Sequence, residues 1–237
     1  MGTSSDLAGG KGGAWTPYRH ASTAFMKHGG EPRADRLLAR YVAALGGALA
    51  AAASGMGAFI GPAQGLADVG VRLAEEGLTP TLEHLGLSHL VGAERYDVLD
   101  GLLDALAGDG STLEEQAVLS ALCEAFEELF PDDAETYEQL EQVQLDTEGL
   151  VALIERFVVR WVYDRMLPTL AERLAHIEDP ELVRCRDSEL RERLTLLVAL
   201  RLEDRDPLTV DWAGEEGSEI LRGLVTHLYE DMEDLES

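Results

Sequence analysis

Six histidines and two cysteines are the side chains best suited to holding a metal or attacking a substrate, and their spacing favours neither role. His20, His28, His84, His89, His176 and His227 form no HExxH pair and no CxxC…HxxxH arrangement. His84 and His89 stand five apart with no third ligand at suitable spacing. Glu155 and Glu172 are followed three residues on by Val158 and Ala175, so the Glu-x-x-His pairs of a di-iron bundle are missing. Cys123 falls in an apolar helical stretch without an evident base. With Cys185 it makes too small a set for a disulfide scaffold or a Cys-based zinc site. Both thiols are expected in a reduced cytoplasm, buried as small core residues, and the histidines are expected to be structural. Ala8 to Gly13 reads AGGKGG, which lacks the spacing and the closing Ser/Thr of a phosphate loop, and no GxGxxG or GxSxG occurs. No catalytic residue, no metal and no cofactor of its own are expected, and the chain reads as a non-enzyme.

One reactive group remains, the amino terminus. Gly2 follows Met1, and removal of Met1 exposes its amine. An α-amino group has a pKa of about 7.7 to 8.0, against about 10.4 for lysine. At neutral pH a useful fraction is uncharged and nucleophilic, and glycine adds no side chain to obstruct a narrow site. Such a terminus suits modification. It equally suits a plain unstructured start, which composition alone favours.

These groups must be positioned by helices. Residues 2–16, GTSSDLAGGKGGAWT, are dominated by Gly, Ser and Thr without an apolar period, so 1–16 is read as a flexible tail. Residues 17–237 are read as one all-α domain, with subdivision near 108–112 or 146 as the alternative. The apolar period predicts helices over Ala34 to about Ser54, Ala63 to Glu76 and Thr81 to Leu85, the last with Thr79 at the N-cap. Further helices are predicted over Arg95 to Ala107, Thr112 to Phe130 with a Thr112/Glu115 capping box, Thr147 to about Ala175, Asp179 to Leu202, and Gly217 to Leu235. Pro168 is expected to kink or divide its helix. Strand signals are almost absent. The expectation is an irregular bundle of about eight to ten helices with a flexible Gly/Ser-rich tail.

Tyr41 to Ala67 carries no charge, but it is mostly Ala and Gly with Pro62 inside. A spanning helix needs about 20 predominantly apolar residues, so this stretch is read as a closely packed small-residue helix that breaks near Gly61-Pro62.

The charge is lopsided. Nineteen Lys and Arg face 45 Asp and Glu, a net of −26. Residues 1–73 hold seven basic and four acidic side chains, and 74–237 hold 12 and 41. Between Glu114 and Glu148 there are twelve acidic residues and no basic one. This argues against general nucleic-acid binding and against anionic membranes, while leaving room for a small basic site. An acidic surface of this size also fits a DNA mimic or inhibitor-type adaptor on the basic face of a nuclease or ATPase.

GTSSDLAGGKGGAW (2–15), AFMKHGG (Ala24 to Gly30), LGLSHLVG (Leu85 to Gly92), VLDGLLDALAGDG (Val98 to Gly110) and DWAGEEG (Asp211 to Gly217) resemble the QatB family, a component of the bacterial Qat anti-phage defence system. The tail is shorter than in relatives with long Pro- and Gly-rich linkers. The resemblance implies an ATPase, a QueC-like enzyme and a TatD-like nuclease as system partners. It further implies that the QueC-like enzyme joins a 7-deazaguanine to a protein amino terminus through an amide. On this sequence the acceptor is Gly2, bearing a 7-amido-7-deazaguanine, and Thr3, Ser4 and Ser5 are the tail that the enzyme reads.

Overall fold

Glycines, more than prolines, decide where the helices stop. The computed structural model describes residues 13–107, 110–134, 136–175, 179–202 and 205–236. Among them are eleven α-helices, nine of seven residues or more, and no strand, so the chain is all-α as its pattern predicts. The helices are α1 (Trp15–His28), α2 (Glu31–Leu45), α3 (Ala48–Ala53), α4 (Met56–Glu75), α5 (Leu78–His84) and α6 (Arg95–Leu106). They continue with α7 (Leu113–Leu129), α8 (Tyr137–Leu140), α9 (Thr147–Leu174), α10 (Pro180–Leu197) and α11 (Glu215–Asp234).

Several expected boundaries move. The helix read from Ala34 to Ser54 is two, because Gly46 and Gly47 both take positive φ (99° and 97°). Pro62 and Pro168 break nothing and lie inside α4 and α9. Each removes one backbone hydrogen bond, but buried side chains on both sides hold the turns together: Phe59 and Ala63 around Pro62, Met166 and Leu170 around Pro168. The N-cap of α5 is Gly77, which places Thr79 and Pro80 inside the helix. The amide and hydroxyl of Thr79 both donate to Glu141. α10 ends at Leu197, short of Leu202. The Thr112/Glu115 capping box is formed, with Glu115 N–H donating to Thr112 Oγ1 at 3.1 Å and Thr112 N–H to Glu115 Oε2 at 3.1 Å. α1 has no counterpart among the expected helices. Its buried stripe, Tyr18, Ala21, Ser22, Phe25 and Met26, dilutes the apolar period with Ala and Ser.

The chain divides into two compact units. One comprises Met1–Ser54, Val162–Ala199 and Val225–Ser237. Its core joins Tyr18 and Phe25 of α1 with Leu37, Leu38, Tyr41 and Val42 of α2, and with Val162, Met166, Leu190, Leu194, Leu228 and Tyr229, all buried. Arg165 donates to Tyr229 Oη (2.8 Å) and to Ser54 Oγ (2.9 Å). The second unit comprises Gly55–Trp161 and Leu200–Leu224. Phe59 there stacks on Phe157 (centroids 5.5 Å apart) and leans on Trp161 (4.4 Å). Close approach explains part of the glycine content of α4, since a Cβ on Gly70 would stand 2.5 Å from Leu150 Cδ1. The uncharged stretch from Tyr41 to Ala67 is thus spread over α2, α3 and α4. Among the described residues no helix is long and apolar enough to cross a membrane.

Half of the acidic run is consumed within this second unit. Glu124 pairs with Arg160, Glu128 with Arg156, and Asp132 Oδ1 with Arg95 at 3.0 Å. Glu115 caps α7, Glu141 holds Thr79, and Asp146 Oδ1 accepts from Gly149 N–H at 2.8 Å.

Three tyrosines of the first unit have their phenols pushed above the ordinary range by burial: Tyr18, Tyr163, where the Asp187 carboxylate adds to the effect, and Tyr229. An unfolded tyrosine loses its proton near pH 10, whereas these stay protonated in the fold. The folded chain therefore holds more protons above that pH, and stability is full below about pH 10 and declines as pH rises further. Urea midpoints measured from neutral pH into the alkaline range should be level and then fall. Tyr18→Phe, which removes one of these protons, should fall less steeply than the parent chain.

Candidate functional site

Gly2, Thr3, Ser4 and Ser5, the residues expected to be read and modified, lie outside the described residues. The structure does show the anchor onto which that segment leads. α1 starts at Trp15, two residues ahead of the expected boundary, and Pro17 sits in its first turn, where a missing N–H is harmless. Trp15 meets Tyr18 edge-on at 5.5 Å and Tyr41 at 6.5 Å, and Tyr18 lies 5.7 Å from Tyr41. The Tyr18 hydroxyl shares a 2.7 Å hydrogen bond with Thr169 Oγ1 on α9. The segment is thus joined to a fixed point.

The other end of α1 is fastened by the AFMKHGG stretch. Phe25 and Met26 are buried. Gly29 then adopts φ 56° and ψ −164°, a conformation essentially restricted to glycine. A Cβ there would stand 2.1 Å from Arg186 Nη1. Gly30 N–H donates to Glu189 Oε2 (3.1 Å), and Arg186 Nη1 donates to Glu189 Oε1 (2.7 Å). Arg186 Nε also donates to the Met26 carbonyl (3.4 Å), so one guanidinium ties the α1–α2 corner to α10.

Between these two fastenings runs a groove of about 540 Å³ along the outer face of α1. Thr16, Arg19, His20, Thr23, Ala24, Lys27 and His28 line it from α1, and Arg173 lines it from α9, one turn beyond Thr169. α1 contains no acidic residue. Sequence reasoning missed this groove. The signal was the +3 balance of residues 1–73, but without a helix over 15–28 the cations had no common face, and Arg173 is distant in sequence.

The remaining singled-out residues are structural or exposed. Cys123 is half-buried, and burial, with Glu127 and Asp100 nearby, pushes its thiol up. Cys185 corrects the expectation of a buried thiol. It lies on the exposed face of α10, beside the charged side chains of Arg186 and Glu189. His84 and His89 are exposed, His20 and His28 face the groove, and His176 lies outside the described residues. Among the described residues no group of three or more His, Cys, Asp or Glu is placed to hold a metal.

DWAGEEG forms a tight corner. Asp211 accepts from Gly214 N–H through Oδ1 and from Gly217 N–H through its carbonyl, both at 3.1 Å. Trp212 is buried, with its indole N–H on the Pro207 carbonyl (2.8 Å). Gln64 Nε2 donates to the carbonyls of Trp212 and Gly214, each at 2.8 Å. A Cβ on Gly217 would lie 2.3 Å from the Trp212 carbonyl oxygen. In LGLSHLVG and VLDGLLDALAGDG, Leu90 packs where a Cβ on Gly101 would be, 2.2 Å from Leu90 Cδ1. These stretches form the corners between helices.

Residues 46–232 match the family described as Qat anti-phage system associated protein QatB. The chain belongs to the QatB family. No curated protein and no solved structure matches it. The matched span covers LGLSHLVG, VLDGLLDALAGDG and DWAGEEG, together with Arg173 of the groove, and leaves α1 and Gly2 outside. As a QatB-family chain it is a component of the Qat anti-phage system.

The Gly29 corner gives a sharp test. Gly29→Ala should lower unfolding free energy by about 2 kcal/mol, because the substitution forces an L-residue into a glycine-only conformation. Gly223→Ala, in α11 with nothing within 4 Å of its Cβ, should instead raise it by up to about 1 kcal/mol. Urea denaturation of the two variants measures both.

Proposed function

We propose that this QatB-family chain is a non-catalytic subunit whose Gly2 amine accepts a 7-deazaguanine from a QueC-like partner enzyme. The partner activates the carboxylate of the deazaguanine. The Gly2 nitrogen attacks the carboxyl carbon, an amide C–N bond forms, the activating group departs, and the amine proton passes to solvent. Thr3, Ser4 and Ser5 are the residues that the enzyme reads. The ATPase and the TatD-like nuclease are the remaining partners, and the reaction belongs to the cytoplasm. The protein itself needs no cofactor and touches no nucleic acid directly.

Family membership is the observation that carries this reading, because it places the chain in a multi-protein defence system. Physical features support the assignment to Gly2. The amine has no side chain beside it, and its pKa class favours the neutral nucleophile. The eleven peptide steps from Gly2 to Gly13 bound its reach at ~40 Å, enough to enter a cleft on another protein. The aromatic cluster around Trp15 fixes the point from which that reach is measured.

Intact and amino-terminal-peptide mass spectra test the proposal. The chain co-expressed with an active QueC-like neighbour should gain the mass of a 7-amido-7-deazaguanine on Gly2, and should lack only Met1 without it. Gly2→Val should abolish the increment and leave the helical circular dichroism and melting unchanged. An unmodified Gly2 beside a demonstrably active partner, or modification that persists in Gly2→Val, would falsify the assignment.

A further inference from the structure

We propose that the groove along α1 binds a compact oligophosphate anion, of the kind carried by a nucleoside triphosphate or by free polyphosphate. This does not rest on the Gly2 reading. It starts from cations that pair with no carboxylate among the described residues. Carboxylates outnumber Lys and Arg by 45 to 19, so an exposed cation in this chain has every opportunity to find one. Eleven arginines do, in pairs across or along helices. Arg19, Lys27 and Arg173 do not pair with any carboxylate among the described residues. All three line the same groove, and His20 and His28 join them there.

Placement makes this more than a basic patch. Arg19 and Lys27 come from α1, and Arg173 comes from α9, so cations converge from two helices. The Tyr18–Thr169 hydrogen bond sets that convergence, since Thr169 lies one turn before Arg173. Guanidinium groups meet phosphate oxygens in paired hydrogen bonds, and lysine supplies a point charge. The Thr16 hydroxyl and the imidazole N–H groups can donate to further phosphate oxygens, which are acceptors only.

Size and net charge select the occupant. The volume of about 540 Å³ falls within the usual range for small-molecule sites. A nucleic-acid strand or an acidic protein segment would carry negative charge beyond the groove into the field of a chain with net charge −26. A di- or triphosphate concentrates its charge where the cations are.

Isothermal titration calorimetry on the full chain at low ionic strength tests this, with sodium tripolyphosphate, ATP and AMP as probes. Tripolyphosphate and ATP should bind at one site per chain, AMP more weakly, and added salt should weaken all three. The double variant Arg19→Gln/Arg173→Gln should weaken binding by ~10-fold or more, and Lys27→Gln by a smaller factor. Arg184→Gln, which removes an exposed arginine paired to Glu181 on α10, should leave affinity unchanged. All these side chains are exposed or half-buried, so circular dichroism should show the folded helix content in every variant. ATP binding tighter than tripolyphosphate supports the site as one for nucleotides, and equal binding supports it as one for free oligophosphate. The proposal is overturned if neither probe binds. Equal weakening by Arg184→Gln also overturns it. So does binding confined to oligothymidylate or to a polyglutamate peptide, either of which would assign the groove to a macromolecule.

Discussion

Carboxylates outnumber the cations of this chain by 45 to 19, and the way eleven arginines take them up as partners organises both units. Ion pairs join helices that are distant in sequence: Arg160 to Glu124 and Arg156 to Glu128 link α9 to α7, and Arg193 to Asp35 links α10 to α2. Glu236 takes both Arg36 (3.3 Å) and Arg40 (2.7 Å). Pairs of this half-exposed kind contribute roughly 0 to 1 kcal/mol each, so they orient helices more than they hold the fold together. Arg95 differs. It is buried, with Nε on the Phe130 carbonyl (2.7 Å), and its charge depends on Asp132. Leaving such a cation alone is far more damaging than losing a surface pair. The acidity from Glu114 to Glu148 is thus partly internal wiring, and net charge alone overstates the free acidic surface.

Much of the architecture was legible in the residues. Long aliphatic stripes announced α6, α7 and the stretch around Trp161, because a helix buries every third or fourth residue. Thr112 and Glu115 announced their own cap. The break expected at Gly61-Pro62 came from reading proline as the stronger breaker. Phe59 and Ala63 show that buried contacts on both sides of Pro62 hold a helix across a missing hydrogen bond. Gly46, Gly47 and Gly55 show that positive φ ends a helix without any other signal. α1 was hidden because Ala21 and Ser22 occupy core positions and supply little hydrophobic contrast.

The site was less legible, for a different reason. Gly2 came into view through resemblance, since an amine on a Gly/Ser segment looks the same whether or not it reacts. The groove could not be read at all, because it joins side chains more than a hundred residues apart through the α1–α9 packing. Its cations were visible one at a time, and only the fold gives them a common neighbour. The stretches around Leu90, Gly101 and Trp212 are corners and close approaches, where a Cβ would collide with its neighbours. The family match over 46–232 lies apart from the amino-terminal region proposed to carry function.

The aromatic cluster at the start of α1 has an optical consequence. The chain has three tryptophans, and Trp161 and Trp212 are buried in the second unit. Trp15 alone belongs to the first unit and is partly open to solvent, with two tyrosines within 6.5 Å as energy-transfer donors. It stands next to Thr16 on the groove wall and two residues after Gly13. A soluble quencher should reach its indole before the other two. Its emission then reports in real time, without an added dye, on events at the amino-terminal end of the molecule.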